Sequence, residues 1–233
     1  MDMGLNAEGF VAAIRAHRSE AERKKNVRHY RGDAEVIGVR MKQIFDAAKA
    51  FSAMPLDEVE KLLDSGYYEA RVGAVSILDF KARRKGIGEE ERRALHDLYL
   101  RRHDRIDSWD LVDRAAPRVV GWYLLDKPRD ELYLLARSGN VWERRTAITA
   151  TFWLIRQGEV DDALRIAEIL LPDDEELINK SVGTSLREVG KVDRARLVEF
   201  LERHAAEMPR VTLRYAVEKF DAGEKQRLLR LTA

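Results

Sequence analysis

The stretch Tyr68-Glu69-Ala70-Arg71-Val72-Gly73-Ala74-Val75-Ser76-Ile77-Leu78-Asp79-Phe80 is the unit from which the chain is read. A basic residue near its start is followed closely by small and apolar residues. Four later stretches look alike: Trp109–Val120, Trp142–Leu154, Leu177–Val189 and Val211–Phe220. Arg71, Arg114, Arg145, Lys180 and Arg214 hold the corresponding basic position. Successive members lie roughly 30–45 residues apart, the period of helical-repeat solenoids.

Working outward, apolar residues recur at helical spacing almost everywhere, as in Phe10, Ala13, Ile14 and His17, or Leu164, Ile166, Ile169 and Leu170. No sustained alternation of period two is bounded by hairpin turns. Asp64-Ser65-Gly66, Lys85-Gly86-Ile87-Gly88, Ser138-Gly139-Asn140, Gln157-Gly158 and Pro172-Asp173-Asp174 are the expected helix breaks. Amphipathic stretches such as Asp126–Arg137 and Val160–Leu171 lie between the repeats. The expectation is an all-α chain of about twelve to fourteen helices, one domain over residues 1–233. One helix of each hairpin would line a concave surface and its partner a convex one. Either the repeated cations form a phosphate-binding stripe on the concave face, or each bridges neighbouring repeats by capping or ion pairing.

Composition bounds the function. With no cysteine there are no disulfides, thiolate nucleophiles or thiolate metal sites. The histidines His17, His96, His103 and His204 have no ligand spacing, so no metal or other cofactor is expected. No apolar run approaches the roughly 18–20 residues of a membrane span. The first residues show no basic-then-apolar leader pattern, and a cytoplasmic, nucleoid-associated location is expected. Net charge is only +1 although 36% of residues are charged, so any site for nucleic acid must come from sorting charge onto one face.

The run Asp107-Ser108-Trp109-Asp110-Leu111-Val112-Asp113 is the densest unusual segment. Trp109 and Asp113, four apart, share one face of a helix, while Leu111 and Val112 point into the core. The indole offers a flat π face to a sugar or base. The carboxylate offers fixed negative charge, which stabilises the cation that develops on a sugar as an N-glycosidic bond breaks, or orients water. The plain alternative makes Asp107 an N-cap, pairs Asp110 with Arg114 and buries Trp109.

Trp109-Asp110-Leu111-Val112-Asp113 and Trp142-Glu143-Arg144-Arg145-Thr146-Ala147-Ile148 together resemble the AlkD-type DNA alkylation-repair glycosylases. So do Ile37-Gly38-Val39-Arg40-Met41 and Met208-Pro209-Arg210 with Leu213-Arg214-Tyr215-Ala216. The resemblance runs in order from about residue 10 to 225. It implies a right-handed α-solenoid of HEAT-like hairpins with a concave DNA-binding face, and removal of N3- or N7-alkylated purines from double-stranded DNA. By resemblance, Asp113 is essential for excision, Trp109 packs on the lesion deoxyribose and Arg145 contacts the nearby phosphate. The family is known for not extruding the damaged base into a pocket. A second indole belongs at Thr184 or Ser185, depending on subgroup, and neither is aromatic here. Lost activity, altered specificity, or compensation by Tyr30 or Trp153 follow from that departure.

Catalysis is therefore assigned to Asp113 and Trp109. DNA contacts are expected from Arg145, Arg144, Trp142, Arg40 and Lys42, and further along or around the groove from Arg71, Lys180, Arg187, Arg214 and Tyr30. Arg40 and Lys42 read equally as a solvated helix face, and Lys81, Arg83, Arg84 and Lys85 as a helix-end charge run. A monomer is expected. The competing readings are a family member that binds distorted or branched DNA without excision, and a protein-interaction solenoid.

Overall fold

The computed structural model describes residues 4–232. It divides into two compact units, Met1–Tyr123 and Leu124–Ala233. Fourteen α-helices are found among the described residues. The first unit holds α1 (Ala7–Arg15), α2 (Glu20–His29), α3 (Met41–Ala50), α4 (Leu56–Leu63), α5 (Tyr68–Ala82), α6 (Glu89–Arg101) and α7 (Trp109–Ala116). The second holds α8 (Asp130–Ala136), α9 (Val141–Arg156), α10 (Asp161–Leu170), α11 (Glu176–Val192), α12 (Arg194–His204), α13 (Arg210–Ala216) and α14 (Ala222–Leu229). A single parallel bridge, Glu35 with Tyr67, is the nearest thing to a strand among the described residues. None of the described helices is long and apolar enough to cross a membrane.

All five sequence breaks fall between helices, and the five repeated stretches fall on α5, α7, α9, α11 and α13. Side-chain caps start several helices: Asn6 accepts from the Gly9 N–H at 2.8 Å and Asn140 from Trp142 at 2.9 Å. Each satisfies one of the otherwise orphaned first-turn donors. Pro117 ends α7 and opens a π turn over Pro117–Gly121, closed by the Trp122 N–H on the Pro117 carbonyl at 3.0 Å.

In the first unit α5 is central. It packs against α3, α4, α6 and α7, and every residue but Phe80 is buried. That enclosure explains its lack of a polar face: small residues at Ala70, Gly73, Ala74 and Ser76 let neighbours approach on every side. In the second unit α11 has the same role, against α9, α10, α12 and α13. Gly183 permits the closest approach, since a Cβ there would lie 2.6 Å from the Thr212 carbonyl oxygen and from Tyr215 Cβ. Within each unit the odd-numbered helices pack side by side, α3–α5–α7 and α9–α11–α13. Even-numbered helices form a second layer, as α10 does on α9 and α11, with α8 beside it.

Candidate active site

Helix α7 presents two faces. Leu111, Val112, Ala115 and Ala116 are buried, whereas Trp109 is 45% exposed and Asp113 is half-buried. Trp109 and Asp113 both border a cavity of about 670 Å³ that lies entirely within the first unit. Its other walls come from α2, the start of α3 and Tyr68 on α5.

The segment leading into α7 is fastened twice. Tyr68 Oη donates to Asp110, which also accepts from Ser108 Oγ. Tyr30 Oη donates to Asp107 Oδ2 at 2.6 Å, and Arg71 Nη1 reaches the same oxygen at 2.9 Å. The two tyrosine rings stack, with centroids 4.4 Å apart. Burial first, and then the adjacent carboxylates, push both phenols well above the ordinary tyrosine value, which keeps them protonated donors. The plain reading of this segment is thereby corrected. Ser108, not Asp107, is the N-cap residue, and Trp109 is not core.

Arg114 is turned away from Asp110. Its guanidinium sits over the rings of Phe45 and Phe80 at 4.5 and 5.0 Å and pairs with Asp79 at 3.2 Å. Burial lowers its pKa against the pull of Asp79, yet a guanidinium stays charged at any working pH. Asp79 is wholly buried and also meets Arg83 and Arg118.

A second buried carboxylate, Glu69, was not singled out from the sequence. It accepts the backbone N–H groups of Ile37, Gly38 and Val39 at 2.9, 2.8 and 3.3 Å, and Nδ2 of Asn26 at 3.1 Å. Gly38 has φ +97°, a conformation other residues adopt only at a cost. The Ile37–Met41 stretch is thus gripped from below, which fixes where α3 starts and where Met41 and Phe45 enter the cavity wall. A signal was available in the polar Asn26 and Glu69 on apolar-facing positions, but their pairing is non-local.

The remaining expected contact residues divide by environment. Arg71 is 3% exposed and bonds Asp33 and Asp107, and Arg145 is 7% exposed and donates to the Leu177 carbonyl at 2.6 Å. Of the two readings of the repeated cations, these two residues fit the bridge between neighbouring repeats, Arg71 reaching the segment ahead of α7 and Arg145 reaching α11. Tyr30, also expected at a groove mouth, is buried and contributes to the cavity. Arg40 and Lys42 are exposed, paired with Glu22 at 3.0 Å and Asp46 at 2.6 Å. In the second unit, Arg144 is held by Asp173 at 2.6 Å, Lys180 pairs with Glu176 at 2.6 Å and Arg187 meets Glu218. Trp142 is half-buried and Arg214 exposed.

At the position expected to carry a second indole, Ser185 is wholly buried, with its hydroxyl 3.2 Å from that of Thr151. Thr184 is more accessible and bonds back to the Lys180 carbonyl at 2.9 Å. Among the described residues no cluster of three or more His, Cys, Asp or Glu side chains could hold a metal ion.

A family model described as DNA alkylation repair enzyme matches residues 10–220. No curated protein matches the chain. Among solved structures, it is similar to a predicted DNA alkylation repair enzyme from Enterococcus faecalis, with 16% sequence identity and a TM-score of 0.67. That likeness covers 88% of this chain and 98% of the other, and at this identity it speaks for the fold.

Proposed function

The chain belongs to the DNA alkylation repair enzyme family, and from that premise we propose that it hydrolyses the N-glycosidic bond of N3- or N7-alkylated purines in duplex DNA. The observation that carries this reading is the pairing of an exposed indole and a carboxylate, Trp109 and Asp113, on one face of α7 beside a cavity. An alkylated purine already bears positive charge and leaves without protonation. The C1′–N bond breaks with its electron pair passing to the base, which neutralises it. Water's oxygen then bonds to C1′ and its proton passes to solvent. What such a reaction needs from protein is negative charge near the oxocarbenium ion and a surface that holds the sugar. Asp113 supplies the first and Trp109 the second. In this reading Arg40, Lys42, Lys180 and Arg214 meet phosphates, giving salt-dependent binding.

The test is release of 7-methylguanine and 3-methyladenine from methylated duplex. Asp113→Asn keeps the shape of the side chain, removes its charge, and is expected to lower the rate by about 10²–10³. Equal inertness of wild type and variant on several adducts would sink the enzyme reading. Tight, salt-sensitive binding without base release is the outcome expected of the second reading, a family member that senses distorted DNA. The absence of an aromatic side chain at Thr184 and Ser185 favours that alternative.

A further inference from the structure

We infer that Tyr68 and Arg71 of α5, acting through Asp110 and Asp107, are positioning residues that fix where the indole of Trp109 stands relative to Asp113. The effect on rate rests on the glycosylase reading above, while the placement of the indole has a readout of its own.

The need for such a device comes from where Trp109 lies. It is the first residue of α7, a helix of eight residues that Pro117 ends, and its side chain is 45% exposed. An indole with so little packed against it takes its position from its backbone. The first turn of a short helix frays unless its free N–H groups find partners. Ser108, the N-cap residue, makes no side-chain capping bond. Its hydroxyl donates to Asp110 Oδ1 instead, and the Leu111 N–H reaches the same oxygen at 3.1 Å. Asp110 thus does the work of an N-cap from inside the turn, at the helix end where the dipole favours a carboxylate. Its other oxygen, Oδ2, takes the phenol of Tyr68 and so ties that turn to α5.

A second tie has the same spacing. Tyr68 and Arg71 stand three apart on one face of α5, and Asp107 and Asp110 stand three apart on either side of Ser108-Trp109. Arg71 Nη1 and the Tyr30 phenol both donate to Asp107 Oδ2, and the Tyr30 ring stacks on Tyr68. Arg71 is itself fixed by the Ser65 carbonyl, which its Nε reaches at 3.1 Å. The anchoring helix is the enclosed centre of the first unit, so it has little room to move. Trp109 therefore sits between two carboxylates that are both held from α5. The four-residue step along α7 carries that position to Asp113. The same bonds divide the labour among the carboxylates of this segment. Asp107 and Asp110 are taken up as acceptors for α5, so their part is to place the indole rather than to meet the sugar.

The experiment uses the full-length protein labelled with 5-fluorotryptophan. Of its four tryptophans, Trp109 is assigned as the fluorine signal lost in Trp109→Phe. Tyr68→Phe keeps the ring and removes only the hydroxyl. It is expected to shift or broaden the Trp109 signal and leave the others in place. Single-turnover release of 7-methylguanine from methylated duplex should slow by about tenfold, with an unchanged Kd for the DNA, the pattern of a lost transition-state contact. Asp110→Ala should match it, and the double variant should be no slower than either single one. Asp110→Asn keeps an acceptor oxygen for the phenol and should recover most of the rate. If Tyr68→Phe does not fold, Asp110→Ala carries the same test. A wild-type rate in the folded variant, or an unmoved Trp109 signal, overturns the inference and leaves the glycosylase reading standing. Wild-type protein that releases no base removes the glycosylase reading. The fluorine signal then decides the placement alone: moved, it supports the two ties, and unmoved, it overturns them.

Discussion

The two units solve the same packing problem with different polar chemistry. In the first, the interior contains charge. Glu69 grips three backbone N–H groups, Asp79 gathers Arg83, Arg114 and Arg118, and Arg71 ties Asp107 to Asp33. In the second, most of the buried polar contacts between neighbouring helices rest on hydroxyls, beside the buried cation Arg145 on the Leu177 carbonyl. Thr149 meets Ser181 at 3.3 Å, Thr151 meets Ser185 at 3.2 Å, and Thr212 donates to the Asn179 carbonyl at 3.1 Å. Hydroxyls are small and let helices close up, as Gly183 does. Carboxylates reach further and hold irregular backbone, such as the Ile37–Val39 turn, that a lattice of helices would not fix. The cavity lies in the unit that has such irregular backbone to hold.

The largest effect that would break this contrast is at Glu69. Glu69→Ala strands three buried N–H donors, each costing about 1–3 kcal/mol when left without a partner. A loss of at least about 3 kcal/mol is expected in urea denaturation, with amide exchange rising throughout the first unit. Glu69→Gln keeps one acceptor oxygen and should lose less. The matching insult to the second unit is Gly183→Ala, whose new methyl meets the Thr212 carbonyl. Overpacking of this kind costs about 1–3 kcal/mol, and faster exchange should centre on α11 and α13. If Glu69→Ala proved the milder of the two, buried charge would not be what distinguishes the first unit.

The same contrast separates what could be read in the sequence from what could not. Helix positions and breaks were legible because apolar spacing, Gly86, Gly158 and Pro172 act locally. The Trp109–Asp113 face was legible for the same reason, since four residues along one helix are neighbours whatever surrounds them. The environment of Arg71 and Arg145 was legible only as a choice between two readings, a phosphate stripe or a bridge between neighbouring repeats. The fold shows the bridge: Arg71 is turned onto Asp107 and Arg145 onto the Leu177 carbonyl. Glu69 and Asn26 carry no local signal of their roles, because their partners lie 30 or more and 13 residues away in the chain. The stacking of Tyr30 on Tyr68, which builds part of the cavity, joins α2's end to α5 and has no local signal.

Smaller changes sharpen the comparison. Thr151→Val removes the hydroxyl facing Ser185 while keeping the shape, and should cost about 0.5–1.5 kcal/mol, measured as a lower urea midpoint with unchanged slope. The least effect is expected from alkali. Tyr133, in the second unit, donates to Asp162 Oδ1 at 2.5 Å, and burial together with that carboxylate raises its pKa from the ordinary 10.0 to about 12. A phenol whose folded pKa is raised contributes stability that is whole below pH 10 and is lost as pH climbs through about 12, because the unfolded chain ionises first. Tyr30 and Tyr68 in the first unit are raised further, so their contribution should survive to higher pH. Tyr133→Phe is therefore expected to flatten the early part of the alkaline loss and leave the later part in place, followed by phenolate absorbance beside helical content. A variant that instead loses stability at neutral pH and keeps the wild-type alkaline slope would show that Tyr133 matters as a packing group and not as a titrating one.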